Sequence, residues 1–104
     1  MTAMSRDKCG AAAFAGFMAA VAQLAPDHLN IECSLAFVRN EIGPEAYVCD
    51  EIIRSRAGVR VRVVNTDAEG RMVMADLLAE MRERALRLPQ PGKARLLTCA
   101  TLTG

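Results

Sequence analysis

The stretch "VVNTDAEGR", residues 63–71, passes from a strand pattern to a helix pattern within nine residues. Before it, Val59, Val61 and Val63 alternate with Arg60 and Arg62, the period of two of a strand with one solvated face. After it, Met74, Leu77, Leu78, Met81, Ala85 and Leu88 fall at i, i+3, i+4, i+7, i+11 and i+14, a one-sided apolar stripe. The spacing predicts a helix that starts at Gly70 or Arg71 and is ended by Pro89 and Pro91. A strand feeding a long helix is the unit from which α/β domains are built. The turn between the two carries Asp67 and Glu69, then Gly70, then Arg71. Two readings are open. One is a solvated turn with a helix cap. The other is a pair of carboxylates set for a divalent metal, with a cation beside them.

Working outward, residues 52–64 read as two short strands around Ala57 and Gly58. Residues 39–51 form a loop that turns at Gly43 and Pro44. Within residues 30–38, Ile31, Cys33, Leu35 and Phe37 alternate with Glu32, Ser34 and Ala36, a strand signal. Residues 7–25 read as a helix capped by Ser5 or Asp7 and stopped by Pro26. Ala11, Ala15, Met18 and Ala22 lie on one side and Phe14, Phe17 and Val21 on another, so burial on more than one face is expected. Residues 94–102 supply a final strand. The order is helix, strand, hairpin, helix, strand. It implies an α/β fold with a partial mixed, largely parallel sheet flanked by helices. Two helices barely cover both faces of such a sheet. Residues 1–104 are therefore expected to be one part of a larger single domain.

The composition narrows the function. Hydrophobic residues make up 52% and charged residues 24%, with aromatics at 4%, so an aliphatic globular interior is indicated. A net charge of +1 argues against a nucleic-acid surface. Cys9, Cys33, Cys49 and Cys99 form no C-x-x-C pair, which argues against thiolate zinc and for free thiols in a reducing compartment. The Ala-rich start has the outline of a leader or a membrane span. It carries Asp7 and Gln23, however, and falls short of the roughly 20 strongly apolar residues a span needs. A cytoplasmic protein with no membrane or nucleic-acid partner is the expectation. His28 is read as an exposed loop residue, Cys9 and Cys99 as small packed thiols, and Asp76 and Glu80 as solvated. The methionines of the second helix are read as core filler.

Ligands of α/β sheets bind beyond the carboxyl ends of the strands. "NTDAEGR" (65–71) and "TLTG" (101–104) each follow a strand pattern, and "SRDKCG" (5–10) lies at a helix start. Asp7, Asp67 and Glu69 could meet there, and like charges so placed call for a cation between them. These segments resemble the cytosol leucine aminopeptidase family of two-metal exopeptidases. The resemblance rests on "NTDAEGRMVMAD" (65–76), "ATLTG" (100–104), "RDKCGAAA" (6–13), "RNEIGPEAY" (39–47) and Gly58 at the hairpin. It runs over essentially the whole chain, which it places in the family's C-terminal catalytic domain.

The resemblance implies removal of N-terminal residues from peptides, with two divalent metal ions (zinc, or alternatively manganese) and bicarbonate as cofactors. It makes Asp7 a ligand of one metal, Asp67 a ligand of the other, and Glu69 a bridge between them. Arg71 becomes the catalytic residue that holds bicarbonate, together with Gly70 and Leu102 on the anion. Thr101, Leu102 and Gly104 offer backbone groups to the substrate, and Met4 lines the pocket for its first side chain. A hexamer of identical chains is implied for the intact protein. The family's lysine ligand, second bridging aspartate and second catalytic lysine are expected upstream of Met1, and the isolated chain is expected to be inactive. Arg39 and "CDE" (49–51) depart from the family's loop. A family member without activity, serving as a binding or scaffolding subunit, is the alternative.

Overall fold

The computed structural model describes residues 4–39 and 42–101. The chain divides into two compact units, one drawn from Met1–Ala36 and Cys99–Gly104, the other from Phe37–Thr98.

The first unit is built on helix α1, Cys9–Leu24, which follows a 3-10 turn at Met4–Arg6. Its residues are Ala-rich and unbranched at most positions, which suits a helix. Ala25 ends it in the left-handed region at φ 43°, with its N–H on the Val21 carbonyl at 2.8 Å. Pro26 follows and cannot continue the ladder. The N-terminus corrects the expected capping. Lys8 occupies the cap position and no side chain caps the helix, so neither Ser5 nor Asp7 does so. Burial is also narrower than the pattern suggested. Ala11, Phe14, Met18 and Val21 are half-buried along one line, while Ala15, Phe17 and Ala22 are exposed. At the start of α1 a Cβ on Gly10 would stand 2.9 Å from the Cys99 carbonyl oxygen. Only glycine lets the residue 99 backbone come this close.

The second unit joins a hairpin to a helix. Strand β1, Ile52–Arg54, pairs antiparallel with β2, Arg60–Arg62, in the register Ile52 to Arg62, Ile53 to Val61 and Arg54 to Arg60. The turn closes through Ser55 N–H to the Val59 carbonyl and Gly58 N–H to the Ser55 carbonyl, with Gly58 at φ 79°. Glycine takes that conformation without strain, and the turn falls at Ala57 and Gly58 as the sequence anticipated. Arg60 and Arg62 lie on the exposed face, where Arg62 pairs with Asp50 at 2.6 Å. Val63 is the one buried hydrophobic residue among those described. Helix α2, Glu69–Leu86, follows, and Leu88 lies beyond its end. Met74, Leu77, Met81 and Ala85 are half-buried along the anticipated stripe, whereas Leu78, expected on it, is exposed.

The two segments read as strands at 30–38 and 94–102 form no ladder within the described residues, and no parallel pair occurs among them. Alternation fixes which side chains share a face, but a strand also needs a partner for its N–H and C=O groups. Phe37 and Leu97 are 62% and 79% exposed, while Ile31 and Cys33 are half-buried, so the apolar sides of these segments are only partly covered here. The described fold is thus mixed helix with one small antiparallel sheet. No helix among the described residues is long and apolar enough to cross a membrane.

Candidate functional site

The turn that opens α2 is set by Asn65. Its backbone is extended at φ −144° and ψ 128°, and its side-chain oxygen accepts the Asp67 N–H at 2.8 Å. An asparagine closing onto the amide two residues ahead substitutes for a backbone turn. A 3-10 turn at Thr66–Ala68 results, and Glu69 becomes the first residue of α2. Asp67 and Arg71 are exposed and Glu69 is half-buried. No hydrogen bond or ion pair among the described residues engages the Asp67 or Glu69 carboxylate or the Arg71 guanidinium. Gly70 has only open space where a Cβ would stand, so packing within the described residues does not require a glycine there.

The local electrostatics separate Glu69 from Arg71. An acid at the first position of a helix is favoured by the unpaired N–H groups and the helix dipole, whereas a cation in the first turn is not. Helix stability therefore accounts for Glu69 but not for Arg71. A guanidinium placed beside free helix N–H groups adds to a positive potential that suits an anion.

In the first unit Asp7 is exposed, and its Oδ1 accepts the Thr101 hydroxyl at 2.8 Å across 94 positions of sequence. Two residues singled out from separate motifs are thus brought together. Met4 lies in the 3-10 turn ahead of Asp7. Leu102 and Gly104 lie outside the described residues. Asp7, Asp67 and Glu69 offer hard carboxylate oxygens, the donor type that suits divalent metals such as zinc or manganese. Each carboxylate fits such ions by donor chemistry, and no three His, Cys, Asp or Glu side chains among the described residues form a group that could hold one.

Sequence reasoning missed a second cluster. Arg56, at the hairpin tip, donates its backbone N–H to Asp76 at 3.0 Å and its Nη2 to Glu83 at 3.0 Å, and lies 3.7 Å from Glu80. Glu80 also accepts Arg84 Nη2 at 2.6 Å. Asp76 and Glu80, read as solvated, are instead ties between α2 and the hairpin. The signal was present, since Asp76, Glu80 and Glu83 recur at i, i+4 and i+7 on one helix face. The hydrogen bond from Arg56 holds the Glu83 carboxyl below its usual value, and the same bond raises the Arg56 guanidinium. A carboxyl lowered in the folded state stabilises above its unfolded value and loses that contribution as pH falls through the lower one. The melting temperature of the protein is expected to fall on acidification below the ordinary carboxylate range. In Arg56→Ala this Glu83 component should vanish, so a pH series of melts on both proteins checks it.

Cys9, Cys33, Cys49 and Cys99 are free thiols. Cys9 and Cys99 are exposed rather than packed. His28 sits in an exposed turn, 3.7 Å from Asp27.

The profile of the cytosol aminopeptidase family, catalytic domain, matches residues 1–104. A Caenorhabditis elegans protein named as an aminopeptidase is 46% identical over 104 residues, which are 100% of this chain and 19% of that protein. A Campylobacter jejuni protein named as a cytosol aminopeptidase is 45% identical over 104 residues, 100% of this chain and 20% of its own length. An Aquifex aeolicus protein of the same name is 38% identical over the same span, again 20% of its length. The chain therefore spans about a fifth of the relatives it matches. No solved structure matches it.

Proposed function

The chain belongs to the cytosol aminopeptidase family over its whole length, and on that premise we propose that the intact protein is a metal-dependent aminopeptidase of the leucine aminopeptidase type. The observation that carries this reading is the turn 65–71, which leaves two carboxylates and a guanidinium without partners among the described residues at the opening of α2. Asp7, Asp67 and Glu69 would hold two divalent ions, zinc or manganese. Such a pair, when bound, supplies an activated water and a Lewis acid for the scissile carbonyl. Arg71 would hold bicarbonate and stabilise negative charge as it develops, with Gly70 leaving the backbone open to the anion. Thr101, Leu102 and Gly104 would offer backbone groups to the peptide, and Met4 would meet its first side chain.

The family reading also bears on architecture. In the intact protein the segments 30–38 and 94–102 would pair with neighbours in a largely parallel sheet, within a C-terminal catalytic domain. That sheet would cover the apolar side chains left exposed here. A cytoplasmic hexamer of identical chains is the assembly this reading favours.

An exopeptidase that anchors the free amine of its substrate must reject a blocked one. The intact protein is expected to release the leucine of an unblocked chromogenic substrate and to leave the N-acetylated form uncleaved. Chelation should stop the first reaction and added zinc or manganese should restore it. Equal cleavage of both substrates would overturn the exopeptidase reading. Failure to cleave either, with metal bound, would favour the inactive scaffolding subunit.

A further inference from the structure

Asp7 occupies an unusual place for an acid just ahead of a helix. An acid at the cap position itself ordinarily accepts from the first free N–H groups. Here Lys8 holds the cap position, no side chain caps α1, and the Asp7 carboxylate turns instead to Thr101. The backbone explains how a residue 94 positions away reaches it. Because Gly10 lacks a side chain, the Cys99 carbonyl can lie where only 2.9 Å would separate it from a Cβ at Gly10. Thr101 follows two residues later, and its Oγ1 comes to 2.8 Å from Asp7 Oδ1. A hydroxyl has one proton to donate, and it is spent here on a carboxylate, a charge-assisted bond.

We propose that the Thr101 side chain is a positioning residue for metal binding: its hydroxyl orients the Asp7 carboxylate and holds it ready as a ligand, with Oδ2 left for the ion. The inference rests on the reading of Asp7 as a ligand. It is separate from the backbone contact to substrate considered above for the same residue. Asp7 is exposed and its side chain has two free torsions, so an unassisted carboxylate would sample several directions. A donor on Oδ1 selects one of them. Partners that orient a ligand in this way typically change metal affinity by about 10–100-fold when removed.

The test is zinc affinity of the intact protein, read by competition with a chromogenic chelator, for Thr101→Val, Thr101→Ser, Asp7→Ala and the double variant Asp7→Ala with Thr101→Val. Thr101→Val keeps the shape and removes the donor. It is expected to weaken one zinc equivalent by about 10–100-fold. Thr101→Ser should bind as the parent does. Asp7→Ala should weaken the same equivalent, and adding Thr101→Val to it should cause no further loss, because the hydroxyl acts through the carboxylate. Melts of the metal-free proteins accompany the titrations. If Asp7→Ala weakens zinc and Thr101→Val does not, the positioning role is overturned while the ligand reading stands. Parental zinc binding by Asp7→Ala overturns the ligand reading and the inference with it. Additive losses in the double variant, with a lower melting temperature for metal-free Thr101→Val, would make the bond a structural tie between the two segments and overturn the inference.

Discussion

Replacing Glu69 with Ala in the intact protein is expected to remove bound metal and to abolish turnover. On the proposed reading this carboxylate would serve both ions, so its loss would weaken both. The expected fall in kcat is at least about 10³-fold, beyond what a single oriented electrostatic group usually contributes. A structural explanation is available and too small. Glu69 is the first residue of α2, where an acid favours the helix dipole. That interaction is worth about 0.3–1 kcal/mol, which would shift a melt but not empty a metal site. Glu69→Gln keeps the volume and removes the charge, and it should fail in the same way. Metal content beside steady-state kinetics is the check. A Glu69→Ala protein that kept both ions and its rate would remove the residue from the site.

Replacing Arg71 with Ala should give the opposite pattern. Metal is retained and kcat falls by about 10²–10³-fold, the usual effect of losing one preorganised charge. Helix physics sharpens this expectation. A cation in the first turn of α2 opposes the dipole, so its removal should leave the melting temperature unchanged or slightly raised. A residue whose loss slows the reaction without lowering stability acts on the reaction. Arg71→Lys keeps the charge but loses the planar fork that matches a carbonate-like anion, and only partial activity is expected. An Arg71→Ala protein that lost metal while keeping its rate per bound ion would recast the arginine as a structural prop.

The parts legible in the sequence were those with local causes. The hairpin turn at Ala57 and Gly58 and most of the 3.6-residue stripe of α2 depend on neighbours within a few positions, and they lie where the pattern placed them, whereas the Asn65 cap was not read from the sequence. The segments 30–38 and 94–102 were not settled, because alternation names a face and leaves the partner strand unspecified. In the same way, the opening of α2 was readable as a unit, since Asp67, Glu69 and Arg71 share one turn. The Asp7–Thr101 bond was not, because it spans 94 positions and depends on a close approach at Gly10. Arg56 and its acids fell between these cases. The acidic spacing on α2 was visible, but its basic partner sits 20 to 27 positions away on the hairpin.

Whether this chain contributes carboxylates to a two-metal peptidase site is decided by counting metal ions per chain in the intact protein. Mass spectrometry under non-denaturing conditions, on the parent, Glu69→Ala and Arg71→Ala proteins, is the measurement. Two divalent ions per chain in the parent and in Arg71→Ala, with loss in Glu69→Ala, is the predicted result. A parent protein that turns over peptide with no bound metal, or a Glu69→Ala protein that holds both ions, would contradict the account.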